Sequence, residues 1–239
     1  MANFNTIQTG AITRTAEIDA GLRAHMNKVY GTMSVGLLLT FLAAWAVGTN
    51  EMMMMTLFTG ITRYVVMFAP LIMVFAFGAL INKLSAAGAQ LFFYVFSAVM
   101  GVSISYIFMV FTSFSIAQVF LITSIAFAGL SLYGYTTKKD ISGWGSFLIM
   151  GVIGLIVASI VNLFLQSSMV MFAISVVGVL IFAGLTAYDT QKIKNDYLAH
   201  AHYGDTEWLG KAAIMGALSL YLDFINMFMM MLNLLGNRE

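Results

Sequence analysis

The chain has no cysteine, which excludes disulfides and thiolate sites of any kind. It has one proline, Pro70, inside an apolar run where a membrane helix tolerates it as a kink. Charge is scarce: Asp, Glu, Lys and Arg make up 9% of the residues, against about 25% in soluble domains. So few charges cannot cover a water-facing surface. With 61% hydrophobic residues the chain reads as an all-α polytopic membrane protein whose first partner is the lipid bilayer. A net charge of +1 offers nucleic acid no footprint. The first 24 residues lack the apolar core and small-residue cleavage site of a signal peptide. They read as a mature cytoplasmic arm, with an interfacial helix over Ala16–Lys28.

Apolar runs long enough to span occur near 29–48, 64–82, 88–111, 116–137, 144–165, 169–188 and 209–235. A spanning helix needs about 20 residues, so all seven qualify. The expected organisation is a cytoplasmic arm at 1–28 and a single seven-helix transmembrane domain at 29–239. Very short polar breaks predict two tight hairpins, between the third and fourth spans and between the fifth and sixth. Lys and Arg set direction. With the N-terminus inside, Arg14, Arg23, Lys28, Lys83, Lys138, Lys139, Lys192, Lys194 and Lys211 are cytoplasmic, and only Arg63 and Arg238 lie outside. An odd number of spans then puts the C-terminus outside. Short loops and compact length suggest a bacterial inner membrane.

Within the spans, polar residues form stripes. On the last helix Ser219, Asp223, Asn226, Met230 and Asn233 share one face. On the fifth, Gly151, Gly154, Ala158 and Asn162 do, and on the third Ser97, Gly101 and Ser105; close packing of small residues accounts for these two. Packing does not require an acid, so Asp223 asks for another explanation. An ionisable group at the bilayer centre costs at least ~2.5 kcal/mol. A second acid, Asp189, closes the preceding span. Asp223 lies roughly 18 Å from the outer end of its helix, at Leu235, which leaves roughly 12 Å to the cytoplasmic edge of a 30 Å core. Two carboxylates meeting in a dry site share a proton and titrate as a pair. Loss of the proton puts negative charge next to the cytoplasm, relieved by helix repulsion or by a hard cation. Oxygen donors from Asp189, Asp223, Asn226 and main-chain carbonyls suit Ca²⁺.

At these residues the chain resembles a known family. AGLTAYDTQKIK (Ala183–Lys194) looks like the signature of the transmembrane Bax inhibitor motif family, also called Bax inhibitor-1, and LSLYLDFINMF (Leu218–Phe228) like its last-helix motif. The resemblance implies six helices surrounding a central seventh. It implies that Asp189 and Asp223 match the family's pH-sensing pair and that the chain leaks Ca²⁺ under proton control. Family members are linked to suppression of cell death in eukaryotes. Bacterial ones are linked to calcium leak and, in some, to restraint of a membrane protease. Some bacterial relatives carry an arginine cluster after helix two that latches onto the helix-six acid. Here that place holds Asn82 and Lys83, and lysine lacks arginine's bidentate fork, so the latch is weakened or absent.

The expected function is a pH-sensitive calcium leak channel, with Asp189 and Asp223 as sensor and possible Ca²⁺ ligands. Ser219, Asn226, Asn162, Lys83 and Asn82 are pathway or supporting residues. Alternatives are a membrane-embedded regulator that docks a membrane protease or other integral partner through the arm, and a Ca²⁺/H⁺ exchanger using the same acids. No enzyme activity and no cofactor are expected. His25, His200 and His202 are read as lying outside the spans, which leaves no zinc hydrolase or Ser–His protease in the membrane. Lys211, at the start of the last helix, is misplaced for a retinal pump. His200, His202, Asp196, Asp205 and Glu207 read as a solvated loop, the longest polar one, and Met52–Met55 as apolar filler.

Overall fold

The computed structural model describes the backbone of residues 3–238 and the side chains of residues 17–238. The described residues form α1 (Asn3–Gly48), α2 (Glu51–Phe58), α3 (Thr62–Leu80), α4 (Ala86–Ile104), α5 (Ile107–Val110), α6 (Ser113–Thr136), α7 (Trp144–Leu165), α8 (Ser168–His200), a 3-10 turn at Ala201–Tyr203 and α9 (Thr206–Leu235). Seven of these segments are long and apolar enough to cross a membrane, α4 and α5 counting together as one. The protein is an all-α polytopic membrane protein.

The last helix is the central one. It is the most enclosed span, and it packs directly on α1, α4, α6 and α8. The other two spans, α3 and α7, lie further out, packed on α4 and α8, and are the most lipid-exposed. Aromatic rings lock the centre: Tyr221 of α9 meets Phe93 and Phe96 of α4 edge-on, with centroids 5.5 and 5.7 Å apart. Phe224 meets Phe120 and Phe127 of α6 in the same way. Such pairs add ~0.5–1.5 kcal/mol beyond their buried area.

Both predicted hairpins form. Thr112 caps α6 through the Ser115 N–H, and Gln166, in the left-handed region at φ 49°, turns α7 into α8. Pro70 sits inside α3, as anticipated. Three expectations change. First, no break separates an arm from a span at residue 28, because the helix runs on. Leu22, Met26, Val29 and Met33 form one buried stripe through the junction, so packing favours continuity over an interfacial bend. Residues 1–2 and the side chains of 3–16, including Arg14, lie outside the described residues. Second, the third span is interrupted at Ser105–Tyr106, where the Ser105 hydroxyl donates to Val102 O (2.8 Å). Third, the long polar loop after the sixth span is helix. Phe182, Thr186, Thr190, Ile193 and Tyr197 keep a buried stripe going, and the turn to α9 is only Gly204, at φ 67°, and the N-cap Asp205.

Candidate functional site

Register along α8 and α9 places the two acids. The helices are antiparallel. Gly216 packs against Ile193, and Gly178 against Met230. That register sets Asp189 level with Ser219 and Leu220, and Asp223 level with Leu185 and Thr186. The carboxylates are therefore about one helical turn, roughly 5 Å, apart in depth. Asp223 stands 17 residues into α9 and 12 from its end, near mid-length rather than toward one edge, because α9 starts at Thr206. Likewise Asp189 is not at a helix end, since eleven more residues of α8 follow it to His200.

Asp223 is 4% exposed, and its Oδ2 has no hydrogen-bond partner. The charged group acting on it through space is Asp189. Asp189 is half-buried and feels Lys192, one turn along the same helix. Among the described residues no hydrogen bond or ion pair joins either acid to a basic side chain; the one recorded ion pair is Lys211 with Glu207, at 3.7 Å. The centre of the bundle thus holds a buried acid with an orphaned oxygen and a second acid about one turn away in depth. A buried polar atom left in that state costs ~1–3 kcal/mol or more. A proton, a water or a cation relieves it.

The supporting residues divide. Ser219 is half-buried on the same face of α9, level with Asp189. Asn226 lies one turn beyond Asp223 and donates its Nδ2 to Leu222 O (2.8 Å), which leaves its Oδ1 available as an acceptor. Asn162 is elsewhere. Its Oδ1 accepts from Ser167 N (3.1 Å) in the α7–α8 turn, roughly 30 Å along α8 from Asp189. Asn82 and Lys83 are exposed in the α3–α4 turn, and Lys83 makes no ion pair with Asp189. No group of three His, Cys, Asp or Glu occurs among the described residues. Two carboxylates supply fewer oxygens than the six to eight ligands a Ca²⁺ takes, so the pair alone is not a closed cation cage.

Several residues that hold the site escaped the sequence reading. The Ser131 hydroxyl of α6 bridges Tyr30 of α1 (2.5 Å) and Thr190 of α8 (2.9 Å), beside Asp189. Gln191 accepts from Ile141 N (3.0 Å) and donates to Lys139 O (2.8 Å). Lys194 donates to Tyr135 O (2.7 Å), one of the last carbonyls of α6, where a cation also suits the helix dipole. All three α8 residues fall within the Ala183–Lys194 motif, so the motif's polar positions were the available signal. On α9 the Tyr221 hydroxyl bonds Thr40 (2.6 Å), which also donates toward Ser97 O (2.8 Å). Glycines allow the close approach: a Cβ on Gly134 would fall 2.2 Å from Ala187 O.

The histidines are placed by packing. His25 lies inside the first span, not outside it, buried with its ring 4.9 Å from Tyr197. Continuity of α1 carries it there. His200 stacks on Trp208 at 3.9 Å. Met54 is buried and accepts from the Ser105 hydroxyl (3.6 Å), whereas Met52, Met53 and Met55 are exposed.

Comparison with known proteins fits this architecture. The profile of the family described as Inhibitor of apoptosis-promoting Bax1 matches residues 22–239. Inner membrane protein YbhL of Escherichia coli is 47% identical over 221 residues, covering 92% of this chain and 94% of that one. An uncharacterized protein of Rickettsia prowazekii is 43% identical over 234 residues, covering 97% and 98%. An uncharacterized membrane protein of Streptococcus pyogenes is 33% identical over 225 residues, covering 92% and 96%. The matches run through both acidic motifs and nearly the whole bundle, and the chain belongs to the Bax inhibitor-1 family of multi-pass membrane proteins.

Proposed function

We propose that this protein is a pH-sensitive calcium leak channel gated by Asp189 and Asp223. The observation that carries the reading is Asp223: a 4% exposed acid with an unpartnered oxygen, acted on by a second acid one turn away. When the pair shares a proton, its repulsion is quenched and α8 and α9 pack closely. When the proton leaves, two negative charges face each other in a low-dielectric site, where repulsion is strong. Separation of the helices or entry of a hard cation relieves it, and both favour conduction of Ca²⁺. Rising pH therefore opens the leak and falling pH closes it.

The N-terminus is assigned to the cytoplasm and the C-terminus to the outside, on the Lys and Arg distribution.

The test is Ca²⁺ entry into dye-loaded proteoliposomes between pH 6 and 8, comparing the wild type with Asp189→Asn and Asp223→Asn. Flux that rises with pH in the wild type, and loses that dependence in both variants, supports the gate. Absence of protein-dependent flux at every pH defeats it. Obligatory proton counter-transport with slow, saturable kinetics identifies an exchanger instead.

A further inference from the structure

A groove runs down one side of the bundle between α1 and α6. It consists of two joined cavities of about 600 and 740 Å³ that share Ser34, Leu37 and Ser124. Its floor is α9, through Phe224, Ile225 and Phe228. From Arg23 at one mouth to Trp45 near the other is roughly 33 Å of α1, the full thickness of a bilayer core. Leu38, Phe41 and Trp45 are exposed along it, so it opens toward hydrocarbon.

A cation lines only one of the two mouths among the described residues: Arg238, over the Phe111 ring, lies near the other without lining it. Arg23 and Asn27 line the first, both exposed. Tyr135 lines it from α6, and the exposed Lys138 and Lys139 follow directly where that helix ends. Among the described residues none of these cations is ion-paired, and Asp19, one turn before Arg23, does not come within bonding distance. The Tyr30 hydroxyl is already taken by Ser131. A long apolar slot with a cationic rim at one end has the polarity of an anionic amphiphile. Basic pockets between membrane helices are known to take acidic lipid headgroups.

We infer that the α1–α6 groove binds one anionic glycerophospholipid, its phosphate at Arg23 and its acyl chains along Ser34 and Leu37. The inference does not depend on calcium conduction. An apolar membrane helix in the same slot would leave Arg23 facing no anion, whereas a phospholipid supplies one.

The test is native mass spectrometry of the full chain released from detergent. Palmitoyl-oleoyl phosphatidylglycerol or the matching phosphatidylcholine is added at equal concentration, with thermal shifts in inorganic phosphate as a third arm. One phosphatidylglycerol per chain, retained at several-fold lower concentration than phosphatidylcholine, is expected. Arg23→Gln weakens that preference roughly fivefold, the effect of one surface cation. Ala128→Trp, which fills the groove from α6, removes retention of both lipids. Equal retention of the two lipids, or retention untouched by Arg23→Gln, overturns the inference. So does phosphate alone protecting as well as the lipid, or a second polypeptide held in place of lipid. If Ala128→Trp does not fold, Arg23→Gln decides alone.

Discussion

An acid that serves as a strut is held by donors, and Asp223 lacks one at Oδ2. Asp223→Asn therefore changes stability by less than about 1 kcal/mol, the net worth of a typical hydrogen bond. Thermal unfolding in detergent checks this, and a loss above about 3 kcal/mol would return the residue to a structural role. Gly134 is the opposite case. Its α-carbon faces the Ala187 carbonyl so closely that Gly134→Ala forces α6 and α8 apart, at a cost of about 1–3 kcal/mol. Gly154→Ala, with nothing within 4 Å of the added carbon, gains up to about 1 kcal/mol from helix propensity. Equal effects of the two would refute the close approach. Asp189 and Asp223 were legible in the sequence because ionisable groups are rare in apolar runs. The partners of Asn162 and the Ser131 bridge were not. A hydroxyl or an amide looks alike whether it caps a turn, bonds another helix or faces a pore.

At the level of elements, the α6–α7 loop is tied to α8 by one side chain. Gln191 satisfies the N–H of Ile141, which is 3% exposed, and the Lys139 carbonyl. Gln191→Ala orphans that N–H, at about 1–3 kcal/mol, so hydrogen exchange at Ile141 should quicken by roughly tenfold or more. Unchanged exchange would mean the loop holds itself. The same measurement reads Asp140. The Ser142 main-chain N–H (2.9 Å) and hydroxyl hold its exposed carboxylate below the usual range of about 3.9. A depressed carboxylate contributes above its unfolded pKa and fades as pH falls through its folded one. Protection at Ser142 thus stays flat from neutral pH to about 4 and declines below that. The spans were legible from apolar run length, and the hairpins from their short polar breaks. The extension of α8 to His200 was not, because polar residues hid a buried stripe that only the packing of α1 and α9 reveals.

Across the whole molecule, charge and acids share an axis. Lys194 reaches the end of α6, Lys28 lies beside Gly210 near the start of α9, and Lys138 and Lys139 flank the same end. The fold thus gathers at one end the basic residues that the sequence distributes over several loops. Asp189 lies between that end and Asp223, one turn shallower than the buried acid. A proton arriving from the basic end meets Asp189 first, whereas one from the opposite end must pass the half of α9 that holds Met227 and Leu232, both buried. On the proposed gate, calcium flux follows the pH on the basic side. With orientation in proteoliposomes fixed by protease access to a C-terminal tag, a pH step from 6 to 8 on the basic side should raise flux within the mixing time. The same step on the other face should leave it near its starting value. A response to the opposite face alone would mean that the proton path runs through α9's far half and that Asp223, not Asp189, is the first acid titrated.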